Sequence, residues 1–283
     1  MPNQIYCSES AAREPMIGTA EQVDVWVMLE YRPTWKPRAL QQNALAPETR
    51  AWLEASVMAL AQAGWKPRPQ FIRQPEIDSE TVRLLIAVAG RLLVFSGRGY
   101  DFLRDLDLTA VVAEPHGHEA VAQPQYFVCT NGQRDLCCAR FGLPAYAALR
   151  ALVGDRAWQI THLGGHRFAP NVLVLPQGAM YGRVNTTTEV DQLVRVVDGG
   201  GLCFPYLRGR SGYPPAVQAA EALSGRSDLR LVGVEGDDSR ARVTFEGADG
   251  RFSVAVRRAA EPISVLKSCG DESSKPVYPY VPD

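Results

Sequence analysis

The pattern of apolar and polar positions along this chain comes twice in the same order. Val23 to Glu30 (V-D-V-W-V-M-L-E) is rich in β-branched and aromatic residues and predicts a strand. Pro47 to Ala63 opens with proline and glutamate and stops at Gly64, the start and stop signals of a helix. Arg68 to Arg73 reads as a short strand. Val82 to Ala89 and Arg91 to Ser96 read as a hairpin turning near Gly90, with a short helix at Tyr100 to Leu106. After a Pro/Gly-containing loop that reaches Pro124, the order resumes. Gln125 to Cys129 is a strand, Leu143 to Val153 a helix ended by Gly154, and Ala157 to His162 a strand. Asn171 to Leu175 and Ala179 to Val184 are paired strands turning at Gln-Gly. Thr187 to Val197 is a helix with a threonine N-cap, stopped by three glycines.

Both halves read β-α-β-β-β-α, the thioredoxin-like order. The expectation is an α/β chain of two thioredoxin-like halves in tandem: residues 1–121, and 122–215. Residues 216–283 form a small C-terminal antiparallel β extension. It comprises a short helix, three β-rich runs (229–234, 241–246 and 251–258) joined by turn residues, and an irregular tail from Cys269.

A length of 283 residues accommodates two domains of ordinary size. The formal net charge of −1 gives no global attraction to nucleic acid or anionic membrane, and no nucleic-acid motif is present. Ala122 to Pro215 is locally basic, with nine Arg/Lys against five Asp/Glu, a surface that could steer an acidic protein partner. The N-terminus shows no basic region followed by an apolar run, and the apolar stretch Leu84 to Phe95 is short and broken by Arg91. These features set the expectation of a cytoplasmic protein that spans no membrane. In that compartment cysteines serve more often as ligands or nucleophiles than as disulfides.

The candidate chemistry sits between Cys129 and His166. C-T-N-G-Q-R-D-L-C-C is followed by a helix and then by T-H-L-G-G-H-R-F-A-P, which gathers three of six cysteines and two of four histidines. Thiolate and imidazole bind soft and borderline metals. The glycines between His162 and His166 permit a tight loop that brings two imidazoles to one metal. Adjacent cysteines rarely both serve one small centre, so one of Cys137 and Cys138 is a ligand and the other a packed thiol; spacing leaves the choice open. Cys7, Cys203 and Cys269 are isolated in sequence and read as buried small hydrophobes. Gln133, Arg134, Asp135 and Arg167 are candidates to surround the centre, though each reads as well as an ordinary surface charge.

The segment from Cys129 to about Gly201 resembles thioredoxin-like [2Fe-2S] ferredoxins. H-L-G-G-H-R-F-A-P stands where that family has C-x-x-x-C-x-x-A-P, followed by N-V-L-V-L-P-Q-G-A-M-Y-G-R-V and a helix ending in glycine. With histidines in place of the last two cysteines and a C-x8-C loop containing G-x-R-D, the chain is similar to the sucrase/ferredoxin-like family. The resemblance implies the ligand set Cys129, Cys138, His162 and His166, one [2Fe-2S] cluster, and single-electron exchange with a reductase and an acceptor. Both histidines would share one iron. Imidazole ligation raises a cluster's potential, to roughly −150 to +300 mV in Rieske centres against about −400 mV in plant-type ferredoxins, and couples it to protons. No carboxylate pair argues for glycoside hydrolysis. The alternatives are a structural Cys2His2 zinc site, which usually uses shorter cysteine spacings, and a thiol–disulfide enzyme, for which the chain lacks C-x-x-C.

Overall fold

The computed structural model describes residues 6–283; the first five residues of the N-terminal segment, on which the expectation of no leader partly rests, lie outside the described residues. The elements are α1 (Cys7–Ser10), β1 (Val25–Glu30), α2 (Pro47–Gln62), β2 (Pro67–Arg73), β3 (Thr81–Val88), β4 (Arg91–Arg98) and α3 (Leu108–Ala113). They continue with β5 (Gln125–Cys129), α4 (Leu136–Arg140), α5 (Gly142–Val153), β6 (Ala157–Ile160), β7 (Asn171–Leu175), β8 (Ala179–Gly182) and α6 (Thr187–Asp198). The C-terminal part holds β9 (Leu207–Arg210), α7 (Pro215–Ser224), β10 (Arg230–Gly236), β11 (Arg240–Gly247), β12 (Gly250–Arg258), β13 (Ile263–Val265), β14 (Lys275–Val277) and β15 (Tyr280–Pro282).

Nine strands form one mixed sheet in the order β4-β3-β1-β2-β6-β5-β7-β8-β9. In each half the first two strands, on either side of a helix, are parallel: β1 with β2, and β5 with β6. The remaining pairings are antiparallel. The same local order thus appears twice, and the halves meet along a short antiparallel seam, Ile72 opposite Ile160 and Arg73 opposite Gln159. β1 shows why these runs are strands. All six residues are buried, with Val25, Val27 and Leu29 in one core and Trp26 and Met28 in another, the two-faced burial of a central strand. The second of these cores crosses the seam, joining Trp26 and Met28 to Phe127, Cys129, Trp158 and Ile160. A separate core lies under α5 and α6, built on Tyr126, Val128, Leu149, Val190 and Leu193. The α6 start is a full capping box between Thr186 and Glu189.

Three features differ from the sequence reading. The Pro/Gly-rich connection before residue 215 contains β9, which completes the large sheet beside β8. The tail is not irregular: β15 pairs with β12 to extend the meander to four strands, and β13 with β14 forms a separate hairpin. Three short helices, α1, α3 and α4, have no periodic signal because four to six residues are too few to show one. The helical run Leu136–Arg156 is long and apolar enough to cross a membrane by length and composition alone. Its Ala145, Tyr146, Leu149 and Val153 are buried in the core under the sheet.

Candidate metal centre

β5 ends at Cys129, deep in the core that crosses the seam. The following turn leads to Asp135, which caps α4 by accepting the Cys137 N–H on Oδ1 at 3.0 Å. That single turn of helix returns Cys138 to Cys129, with Sγ atoms 3.5 Å apart. α5 then starts at Gly142 against the Cys129 carbonyl. A Cβ at that position would overlap the carbonyl oxygen, so only glycine lets the helix begin so close to the strand end.

The histidines come from the loop after β6. His162 and His166 stack with ring centroids 4.2 Å apart, and His166 Nδ1 lies 3.5 Å from Cys138 Sγ. Cys129, Cys138 and His162 each offer a ligand atom, all mutually within 4.8 Å. The structure therefore brings together Cys129, Cys138, His162 and His166. Cys137, next in sequence to Cys138, faces the other way, into a small core with Cys7 and Ala169. His116 and His118 belong to no ligand group among the described residues.

The electrostatics suit metal ligation. The hydrogen bond with Cys138 is the main cause that lowers Cys129 well below the ordinary thiol range, with His162 and the Leu163 amide adding. Cys138 is raised as the proton-holding partner and by burial. In its protonated form Cys129 can donate to the Thr161 carbonyl, 3.0 Å away. Burial, with His162 alongside, pulls His166 down to about 4, so its imidazole is neutral at pH 7 and free to bind a metal. His162 Nδ1 is buried with no hydrogen-bond partner, a condition that costs about 1–3 kcal/mol when left unrelieved. Two thiols, two imidazoles and an orphaned ring nitrogen fit a soft or borderline metal group.

The loop that carries the histidines is held from outside. Gln70 on β2 accepts the His162 N–H at 3.0 Å and the Thr161 hydroxyl. Arg68 donates to the His162 carbonyl at 3.1 Å. Arg208 on β9, fully buried, donates to Gly164 O (3.0 Å), Asn171 Oδ1 (2.7 Å) and Thr19 O (2.6 Å). Burial pulls even this guanidinium down to about 9. Gly165 sits at φ +71°, and a Cβ there would come within 2.6 Å of Arg208 Nη2.

Of the residues expected to surround the centre, Asp135 is buried as the α4 cap, and Arg167 forms an ion pair with Glu14 at 2.5 Å with both side chains largely buried. Burial alone would raise Asp135; hydrogen bonds from Cys269 N–H, Ser268 and Cys137 N–H, with the nearby His166, lower it. Gln133 and Arg134 are exposed. Gln70, Arg68 and Arg208 carry no sequence signal of their own, because their link to the histidines exists only once distant strands pair. Beside His162 runs an open groove of ≈ 390 Å³ whose lining includes Arg38, Arg68 and Arg134 and no carboxylate.

Cys203 is a buried thiol in the α6 core, raised to about 11 by burial, as its reading as a small hydrophobe requires. Cys7 and Cys269 are not isolated: both meet Cys137.

No curated protein and no solved structure matches the chain. The sucrase/ferredoxin-like family matches residues 16–209, which hold all four of the gathered cysteine and histidine ligand candidates. The chain belongs to the sucrase/ferredoxin-like family.

Proposed function

We propose that this protein is an electron carrier holding one [2Fe-2S] cluster on Cys129, Cys138, His162 and His166. The carrying observation is the gathering of two buried thiols and two half-buried imidazoles, with an unpartnered His162 Nδ1. The family's name and the repeated strand order support it: each half is read as thioredoxin-like, 1–121 without ligands and 122–215 with them, followed by the 216–283 extension. When bound, the cluster supplies a one-electron couple.

The chain's own residues set the conditions for that couple. Cys129 and Cys138 bring thiolate charge into an apolar core, while the neutral imidazoles bring none. The ring nitrogens of His162 and His166 not engaged in ligation hold protons that can leave as the site loses an electron and return as it gains one. Gln70, Arg68 and Arg208 fix the loop through its backbone and so keep the imidazoles oriented with little reorganisation. The groove beside His162, lined by Arg38, Arg68 and Arg134, suits an acidic redox partner. A cytoplasmic location, with no membrane or nucleic-acid partner, belongs to the same proposal.

The second reading is a single structural zinc, favoured by the compactness of the donor set, with Cys129, Cys138 and His162 ligand atoms all within 4.8 Å of one another. Anaerobic purification with a visible spectrum and iron and sulfide counts decides. Coloured protein with iron and acid-labile sulfide, lost in Cys138→Ala and kept in Cys137→Ala, is the expected result, with a reduction potential that falls as pH rises. Colourless protein with zinc alone, or a potential flat between about pH 6 and 10 around the imidazole range, sinks the proposal.

A further inference from the structure

Three thiols that the family site does not use converge at a second point. Cys7 comes from α1, Cys137 from α4 and Cys269 from the tail after β13. Their Sγ atoms lie 3.5 Å (Cys7–Cys137), 3.3 Å (Cys137–Cys269) and 3.7 Å (Cys269–Cys7) apart. All three are free thiols. Asp135 joins them, its Oδ1 3.9 Å from Cys7 Sγ, so that four donors lie mutually within 4.8 Å. The carboxylate is aimed by its neighbours: Cys137 N–H on Oδ1, and Ser268 Oγ and Cys269 N–H on Oδ2 at 2.8 and 2.9 Å. Ala169, Phe141, Tyr6 and Leu266 wall the group with apolar surface.

A tetrahedron with metal–sulfur bonds of about 2.3 Å has edges of about 3.8 Å. The observed spacings approach that size. Three sulfurs and one carboxylate oxygen all this close to one another fit the four corners around one ion. The donor set of thiolates with one oxygen suits zinc, which accepts both sulfur and carboxylate and prefers four ligands. A dication also offsets the charge that three thiolates and Asp135 concentrate there. Cys7 and Cys269 both lie outside the matched residues 16–209, while Asp135 and Cys137 lie within them.

We propose that Cys7, Cys137 and Cys269, with Asp135 as fourth donor, bind one zinc ion that clasps the N-terminal helix and the C-terminal tail to α4. Binding releases the thiol protons to solvent. The ligands are 130, 132 and 262 positions apart, and cross-links closing long loops restrict the unfolded chain most. Because Cys137 adjoins Cys138, the ion also fixes the short helix that presents Cys138 to the first site. None of the three thiols belongs to that site, so the proposal stands apart from the cluster reading.

The test counts zinc, iron and sulfide in the full-length chain after zinc incubation and desalting, for wild type, Cys7→Ser, Cys269→Ser and Cys129→Ser. One zinc per chain is expected in wild type beyond any held at Cys129 and Cys138. Cys7→Ser and Cys269→Ser should each lose that zinc and keep their iron and sulfide, whereas Cys129→Ser should lose iron and keep it. Cobalt in place of zinc should give thiolate-to-cobalt charge-transfer absorption in wild type and Cys129→Ser but not in Cys7→Ser. Should the serine variants not fold, peptide-resolved maleimide labelling of wild type decides, since zinc should protect the part-exposed Cys269. No retained zinc in wild type, zinc counts unchanged in both serine variants, no protection of Cys269, or loss of iron in Cys7→Ser with zinc unchanged overturns the proposal.

Discussion

Gln70 on β2 accepts the backbone N–H of His162 at 3.0 Å, reaching from the first half of the sheet into the loop that carries the histidines. The same oxygen takes the Thr161 hydroxyl, and that residue's carbonyl faces Cys129. The half that holds β2 is thereby part of the frame around the two histidines. Gln70→Ala removes the acceptor of the His162 N–H and of the Thr161 hydroxyl, which keeps only the Phe71 N–H as partner, a cost of about 1–3 kcal/mol. Urea denaturation should show that loss, and metal retention during dialysis against a chelator should shorten with it. Unchanged stability together with unchanged retention would detach the first half from the site.

The two glycines between the histidines are not equivalent. Both have positive φ, +83° at Gly164 and +71° at Gly165. A Cβ at Gly164 meets first the end of the Glu21 side chain at 3.0 Å, whose carboxylate can move. A Cβ at Gly165 meets Arg208 Nη2 at 2.6 Å and Phe168 at 2.9 Å, both packed. Gly164→Ala should cost about 1 kcal/mol, the backbone penalty alone. Gly165→Ala should cost more and should displace Arg208 from Gly164 O and Asn171. Thermal melts paired with metal content check the order; a milder effect at Gly165 would show that Arg208 does not hold the loop.

Cys203 gives a signature at alkaline pH. Burial holds its thiol protonated up to about 11, against about 8.5 in an unfolded chain. Its stabilising preference for the neutral form is complete below the unfolded value. As pH rises from about 8.5 towards 11, the unfolded chain gives up this proton while the folded one keeps it, so stability falls, by up to about 3 kcal/mol in all. Comparing unfolding free energies of wild type and Cys203→Ala across that window isolates the contribution. Parallel curves would place the thiol in contact with water.

The sequence carried those parts of the fold that depend on local pattern. β7 has the bounds its sequence predicts because N-V-L-V-L is an unbroken apolar run, and α6 starts where predicted because Thr186 and Glu189 cap it within four residues. Local spacing shows Cys129, His162 and His166 and one of the two adjacent cysteines; only the family resemblance selects Cys138 over Cys137, because neighbouring residues differ in direction and not in spacing. β9 is hidden because L-R-G-R has no apolar periodicity: Arg208 is buried by pairing with backbone carbonyls and Asn171, and the half-buried Arg210 pairs with Glu221. The meeting of Cys7 with Cys269 spans nearly the whole chain, and no spacing rule reaches so far.

The seam between the halves is two residue pairs long. Around it, Gln74 donates to the Ala157 carbonyl and Arg73 to Gln159. Anyone seeking the histidine-bearing part as a minimal fragment would cut here and leave β6, with Trp158 and Ile160, as a bare apolar margin able to template pairing with other copies. Such a fragment should self-associate, so the useful unit for expression and crystallisation includes the first half.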